Sequence, residues 1–312
     1  MALVTVIGAA GRQGIAQMRQ LLKAGYEVRA ISRNPDTFQG TEFENVEVRS
    51  ADIFDLATLP DALEGSDAVF HTHPFVDMHG RSETIGQIGH AAKEVGVRRV
   101  VWNTSSWVPD RPGDPGMYQS NTDGMNALWR SGVNGTVFGS VLFMDNLLTN
   151  WARPSIVNED RFVYSHRPDL EANWISLDDV AKFMIASLGR DDLVGRCFNI
   201  GGPERLTPVM VAQSLSRALN KQITYSPISP ADFGRLLVSA FDRGQMTPEE
   251  AEVQAKGVEA FYEYNNNAPT RPFEVNIEHL LDCIPIEMEN FEQWARRQDW
   301  SDNANVERPS GG

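Results

Sequence analysis

Residues 3–22, LVTVIGAAGRQGIAQMRQLL, decide the fold. LVTVIG (3–8) is a continuous apolar run of strand length, and Ile15, Met18, Leu21 and Leu22 then recur at helical spacing over 14–24. Gly8, Gly11 and Gly14 lie between the two segments. Glycines at these points serve a tight turn, close approach of backbone to a pyrophosphate, and close packing of helix on strand. A plain strand-to-helix turn rarely needs all three, so the stretch predicts a dinucleotide-binding βα unit. Arg12 and Gln13, between the second and third glycines, are expected to face the cofactor.

The pattern repeats outward from this unit. EVRAIS (27–32), VEVRS (46–50), DAVFH (67–71) and RRVVWN (98–103) read as strands, while 56–64 and SETIGQIGHAAKEVG (82–96) read as helices. Such βαβα alternation predicts a Rossmann-type doubly wound parallel sheet, an α/β fold, occupying residues 1–150. Beyond 150 the alternation fades and Pro154, Pro168, Pro203, Pro208, Pro227 and Pro230 punctuate the chain. Residues 151–302 are therefore expected to form mainly a smaller C-terminal substrate domain over the sheet's carboxyl edge. A segment near 174–201 is expected to return to the first domain, and 303–312, nearly devoid of apolar residues, to be a disordered tail.

Composition narrows the partners. The 312 residues carry 28 Lys plus Arg against 42 Asp plus Glu, a formal charge of −14 that disfavours nucleic acid and anionic membranes. No apolar run approaches the ~18 residues of a membrane span. The two cysteines, Cys197 and Cys283, show no CxxC spacing and suit a reducing compartment. MALVTVIG runs straight into a strand without a signal-peptide pattern. These features predict a cytoplasmic protein, monomeric or homodimeric, acting on a small molecule.

The end of the second strand bears on cofactor choice. An acidic residue there would bond a ribose 2′-hydroxyl and favour NAD; the chain instead has Ser32 and Arg33. Arg33, with Arg12 converging on the same group, would pair with a 2′-phosphate, so NADP(H) is expected. Asp52, followed by Ile53 after the third strand, either accepts from the adenine amino group or caps a helix.

VIGAAGRQG, ISRNP, ADIFDLATLPDALEGSDAVF, GVRRVVWNTSS, NALWRSGVNGTVF with FMDNLL, and WISLDDVAKFM occur in that order between residue 4 and about 185. As a set they resemble the NmrA-like branch of the atypical short-chain dehydrogenases. The resemblance implies a Rossmann fold, NAD(P)H binding and a C-terminal substrate domain. It also implies one of two roles: a reductase of small, often aromatic molecules, or a redox sensor that binds cofactor without turnover.

The chain departs from the family at its acid–base apparatus. Counting back from Gly132, Asn121 stands where relatives commonly have lysine and Met125 where they have glutamate; Gly139 replaces an arginine. No Tyr-x-x-x-Lys pair lies near Tyr118, whose phenol is a weak acid without a neighbouring cation. Tyr118 is therefore either a hydrogen-bond donor to substrate or a packing residue, and Asn121 a bonding partner for nicotinamide ribose or substrate.

The other proton-donor candidates are His71 and His73, in HTHPFVDMH (71–79), expected to face one side and titrate near neutral pH. Thr72 and Pro74 would line the nicotinamide. With Asp77 and His79 the histidines also form a weak metal pattern, which hydride transfer does not require. Ser105 and Ser106, at the fifth strand's carboxyl end, are placed to orient a carbonyl or to cap their loop. Trp107, Trp129, Phe143, Trp151 and Trp174 favour a flat, apolar ligand at the carboxyl edge, with several of them expected in the core. The combined reading is an NADPH-dependent reductase of a small aromatic or unsaturated substrate, the alternative being a non-catalytic NADP(H) sensor that binds a protein partner.

Overall fold

A computed structural model describes residues 1–301 apart from 75–79, 112–115, 243 and 245. Alternating apolar strands and amphipathic helices leave the chain one way to bury both faces of its strands, namely as a sheet between two helical layers. Seven strands form it: β1 (Leu3–Ile7), β2 (Glu27–Ile31), β3 (Glu47–Arg49), β4 (Ala68–Thr72), β5 (Arg99–Asn103), β6 (Gly135–Ser140) and, after β7 (Arg161–Tyr164) of a separate pair, β8 (Arg196–Ile200). Their spatial order is β3-β2-β1-β4-β5-β6-β8, with every pairing parallel. The order reverses at β1, which has β2 on one side and β4 on the other, and this opens a crevice at the strands' carboxyl ends.

Period-two alternation sends successive side chains to opposite layers. Val4, Val6 and Phe70 pack with Met18 and Leu21 of α1 (Arg12–Lys23) and with Phe183 and Met184 of α6 (Leu177–Ala186). Ile7 and Val69 pack on the other face with residues of α2 (Leu59–Leu63), α3 (Arg81–Glu94) and α4 (Gln119–Arg130). The segment expected to return near 174–201 supplies α6 and β8. It enters through Ser176, whose hydroxyl accepts from the Asp179 amide as an N-cap.

Most of the chain after β6 lies outside the seven-stranded sheet. It comprises α5 (Arg153–Asn158), β7 (Arg161–Tyr164) paired in parallel with β9 (Thr224–Pro227), and α7 (Pro208–Leu219), α8 (Pro230–Phe241), α9 (Pro248–Asn267), α10 (Ile277–Cys283) and α11 (Phe291–Arg296). Several of its prolines start helices rather than interrupt them. Pro208, Pro230 and Pro248 each follow a Thr or Ser N-cap that accepts a backbone amide from the first turn. A proline's missing N–H costs nothing there, because the first helical amides have no intrahelical partner.

Candidate active site

The site begins at the glycine turn. Gly8 has φ +76°, and the Gly11 amide donates to its carbonyl at 3.0 Å, which closes the turn. A Cβ on Gly14 would lie 2.3 Å from the Gly8 carbonyl oxygen and 2.6 Å from Ala9 Cα, so only glycine lets α1 seat against the turn. Gly11 is the N-cap of α1 and offers no side-chain cap, and the first helical turn holds no acid. The opening amides of α1, at the positive end of its dipole, thus suit an anion. A Cβ on Gly8 would sit 3.4 Å from the Thr72 carbonyl, which brings the end of β4 against the turn. Thr72 Oγ1 accepts from Gln17 of α1 at 3.0 Å, and half-buried Pro74 follows. This cradle, whose helix is seated close against the turn by Gly14, fits a dinucleotide pyrophosphate.

Gln13 reaches from the turn to β5. Its Nε2 donates to Ser105 Oγ at 2.8 Å, and its Oε1 accepts from Asn103 Nδ2 at 2.6 Å. Asn103 is fully buried and its Oδ1 accepts from Ser140 Oγ and the Ser105 amide. Ser105 has φ +59°, a left-handed conformation rare outside glycine, and these bonds hold it there. Beside it, Ser106 Oγ accepts from Asn121 Nδ2 at 2.8 Å; the same amide group donates to the Trp107 carbonyl. Asn121 Oδ1 accepts from Arg81, the first residue of α3. Arg81 is 2% exposed and also approaches the Thr104 carbonyl at 3.5 Å. Nothing in the local pattern around Arg81 marks it in the sequence, because its contacts lie 23 and 40 residues away.

At the β2 end, Ser32 Oγ pairs with Thr37 Oγ1 at 2.9 Å. Arg33 is exposed and makes no hydrogen bond or ion pair with the described residues. Arg12 behaves differently. Its guanidinium donates to the Asp145 carbonyl, in the turn after β6, on the side of β1 away from β2. This corrects the expectation that Arg12 and Arg33 converge. Asp52 Oδ1 accepts the Phe54 amide at 3.0 Å in a local turn, while Ile53 packs half-buried against the α2–α3 layer.

The proton-donor candidates fare unevenly. His71 and His73 do share a side, their rings 5.8 Å apart and T-shaped. His71, however, is fully buried with both ring nitrogens unbonded, and burial holds its pKa well below the ordinary histidine value. This corrects the expectation that its imidazole titrates in the working range. Tyr118 is 2% exposed, packs edge-on against Trp107, and donates from its hydroxyl to Asn265 Oδ1 of α9 at 2.6 Å. It ties α4 to α9.

Gly139 has no room for an arginine, since its Cβ would fall 2.3 Å from Asn199 Oδ1. Of the five aromatics, Trp107, Trp151 and Trp174 are core side chains, and Trp129 and Phe143 pack half-buried on the core. Asp77 and His79 lie outside the described residues, among which no metal-holding cluster occurs. A cavity of about 760 Å³ lies along β8 and α10, with Arg111, Asn199 and His279 in its wall, rather than at the glycine turn. Both cysteines line it as free thiols, and burial raises that of Cys197 to about 12. No helix among the described residues is long and apolar enough to cross a membrane.

Comparison with known proteins sets this geometry in context. The NAD(P)H azoreductase of Xenophilus azovorans is 25% identical over 228 residues, covering 73% of this chain and 77% of that one. Quinone oxidoreductase 2 of Escherichia coli strain K12 is 24% identical over 241 residues, 76% and 82% of the two chains. Its structure with NADPH superimposes with a TM-score of 0.71 at 20% identity over 94% of this chain and 98% of that one. NmrA, a negative transcriptional regulator solved with NADP, superimposes with a TM-score of 0.72 at 18% identity over 95% and 94%. Residues 1–295 match the NmrA-like family throughout, and the chain belongs to that family.

Proposed function

We propose that this NAD(P)H-dependent oxidoreductase uses NADPH to reduce a small aromatic or unsaturated substrate, such as an azo compound or a quinone. The observation that carries the reading is the bond from Gln13 to Ser105, which joins the pyrophosphate cradle to a pair of half-exposed hydroxyls at the β5 edge. A bound reduced nicotinamide would supply a hydride there. Gly8, Gly11 and Gly14 would hold the pyrophosphate, Thr72 and Pro74 would flank the nicotinamide, and Ser105 and Ser106 would orient the acceptor. Arg33, exposed at the end of β2 and unengaged by the described residues, supports NADPH over NADH through its fit to a 2′-phosphate. The azoreductase and quinone oxidoreductase relatives support the substrate class.

A second reading, a cofactor-binding sensor without turnover, draws support from the neutral, buried His71 and from Tyr118, whose hydroxyl is bonded to Asn265. Loss of NADPH absorbance with 2-methyl-1,4-naphthoquinone or an azo dye separates the two. Acceptor-dependent oxidation is expected. Tight NADPH binding with no oxidation by any acceptor of either class would favour the sensor.

A further inference from the structure

Hydride addition to a neutral acceptor leaves one negative charge on its oxygen or nitrogen, and one solvent proton must then neutralise it. The charge needs a donor while it exists. His71 is neutral and enclosed, and the Tyr118 hydroxyl points to Asn265, so neither is set to meet it.

Ser106 is. Its hydroxyl oxygen accepts from Asn121 Nδ2 at 2.8 Å, so its own proton is directed elsewhere, and among the described residues that proton finds only the Thr104 carbonyl at a long 3.5 Å. Ser106 is half-exposed while Asn121 and Arg81 behind it are 1% and 2% exposed. The arrangement is a line of donors running outward from a buried cation: Arg81 to Asn121, Asn121 to Ser106, Ser106 to whatever occupies the edge of β5. Each donation polarises the next group, most strongly when the first donor is charged and the line is buried. A guanidinium keeps its charge at any ordinary pH.

We propose that Arg81 acts through Asn121 as a positioning residue that turns the Ser106 hydroxyl into the hydrogen-bond donor for the anion formed on the reduced acceptor. The inference rests on the reductase reading for the identity of that anion, but the polarised hydroxyl itself does not require turnover. A bound reduced nicotinamide would supply the hydride, and the balancing proton would come from water across Ser106 Oγ, which ends unchanged.

The test uses the full chain loaded with NADP⁺ and 4-nitrophenol, whose ionisation is read by colour. Bound to the wild type, its pKa should fall by about one unit relative to buffer, in line with a nearby cation acting on an anionic group. Arg81→Gln and Ser106→Ala should each abolish that shift, and Arg81→Lys should recover most of it. Steady-state oxidation of NADPH by 2-methyl-1,4-naphthoquinone should show kcat down at least ~10-fold in Arg81→Gln, with KM and NADPH affinity within about twofold. The Arg81→Gln/Ser106→Ala pair should fall no further than either single variant, because both break one line. Ser106→Ala removes a half-exposed hydroxyl and keeps the test valid if Arg81→Gln folds poorly. No nitrophenol binding, an unshifted pKa in the wild type, or additive losses would overturn the proposal. A shift that depends on Arg81 in a protein that oxidises no NADPH would support the polarised hydroxyl and remove the reductase reading instead.

Discussion

Arg33 and Tyr118 show how differently single residues depend on context. The role proposed for Arg33 asks only for its place at the end of β2, where it is exposed and makes no hydrogen bond or ion pair with the described residues. Titration calorimetry should find NADPH bound at least ~10-fold more tightly than NADH, with Arg33→Ala erasing most of the difference, since each decade is about 1.4 kcal/mol. Equal affinities in the wild type would remove Arg33 from the cofactor site. Tyr118 depends on α9, distant in sequence, for its hydrogen bond. Tyr118→Phe should therefore destabilise the fold by about 1–2 kcal/mol, the scale of a buried hydrogen bond whose acceptor loses its donor. It should lower turnover less than ~10-fold, against the ~100-fold or more of a lost general acid. Denaturant unfolding and kcat on the same variant check both halves. The absence of a lysine near Tyr118 is legible in the sequence; its burial against Trp107 and its bond to Asn265 are not.

At the scale of elements, the glycine turn is the feature read most completely from the sequence. Its three glycines act over seven residues, and each role follows from backbone geometry within β1 and α1. Gly14→Ala should be costly because the added methyl meets backbone atoms of Gly8 and Ala9, which cannot turn aside as a flexible side chain would. Overpacking of this kind costs about 1–3 kcal/mol, and α1 should shift off the turn and weaken binding of both NADPH and NADH more than ~10-fold. Unchanged affinity in a folded variant would show that the seat of α1 does not shape the cradle. Arg12 belongs to the same turn, yet its partner is not legible there. Nothing in GRQG shows that the Asp145 carbonyl, 133 residues on, lies within its reach.

Across the whole molecule, burial of neutral histidines links folding to pH. His166 is enclosed among Tyr164, Trp174, Tyr262 and Phe273, and its pKa is lowered to about 3; that of His71 is likewise depressed by burial. Above the unfolded histidine pKa of about 6.5 both states are neutral and stability is level. As pH falls below that value the unfolded chain takes up protons that the folded chain refuses, so stability is lost down to the folded pKa. Each such histidine contributes a slope of about 1.4 kcal/mol per pH unit in this window. Denaturation free energy should therefore decline from pH 6.5 to 5, and His166→Phe should remove about half of the decline. A curve flat over that range would mean that these histidines gain protons in the folded protein.

The sequence by itself determined the parallel α/β sheet and the glycine turn between its first strand and first helix. These follow from hydrophobic period, from backbone constraints on glycine and from spacing within a few turns of chain. Only the tertiary structure decided what surrounds each polar group. It enclosed His71 until its charged form became unfavourable, sent Tyr118 to Asn265, buried the tryptophans expected around a ligand, and set Arg81 behind Asn121 and Ser106. The reason is physical. A pKa or a hydrogen bond depends on the few ångströms around a group, and at a sheet edge those ångströms are filled by segments 14 to 147 residues away in the chain.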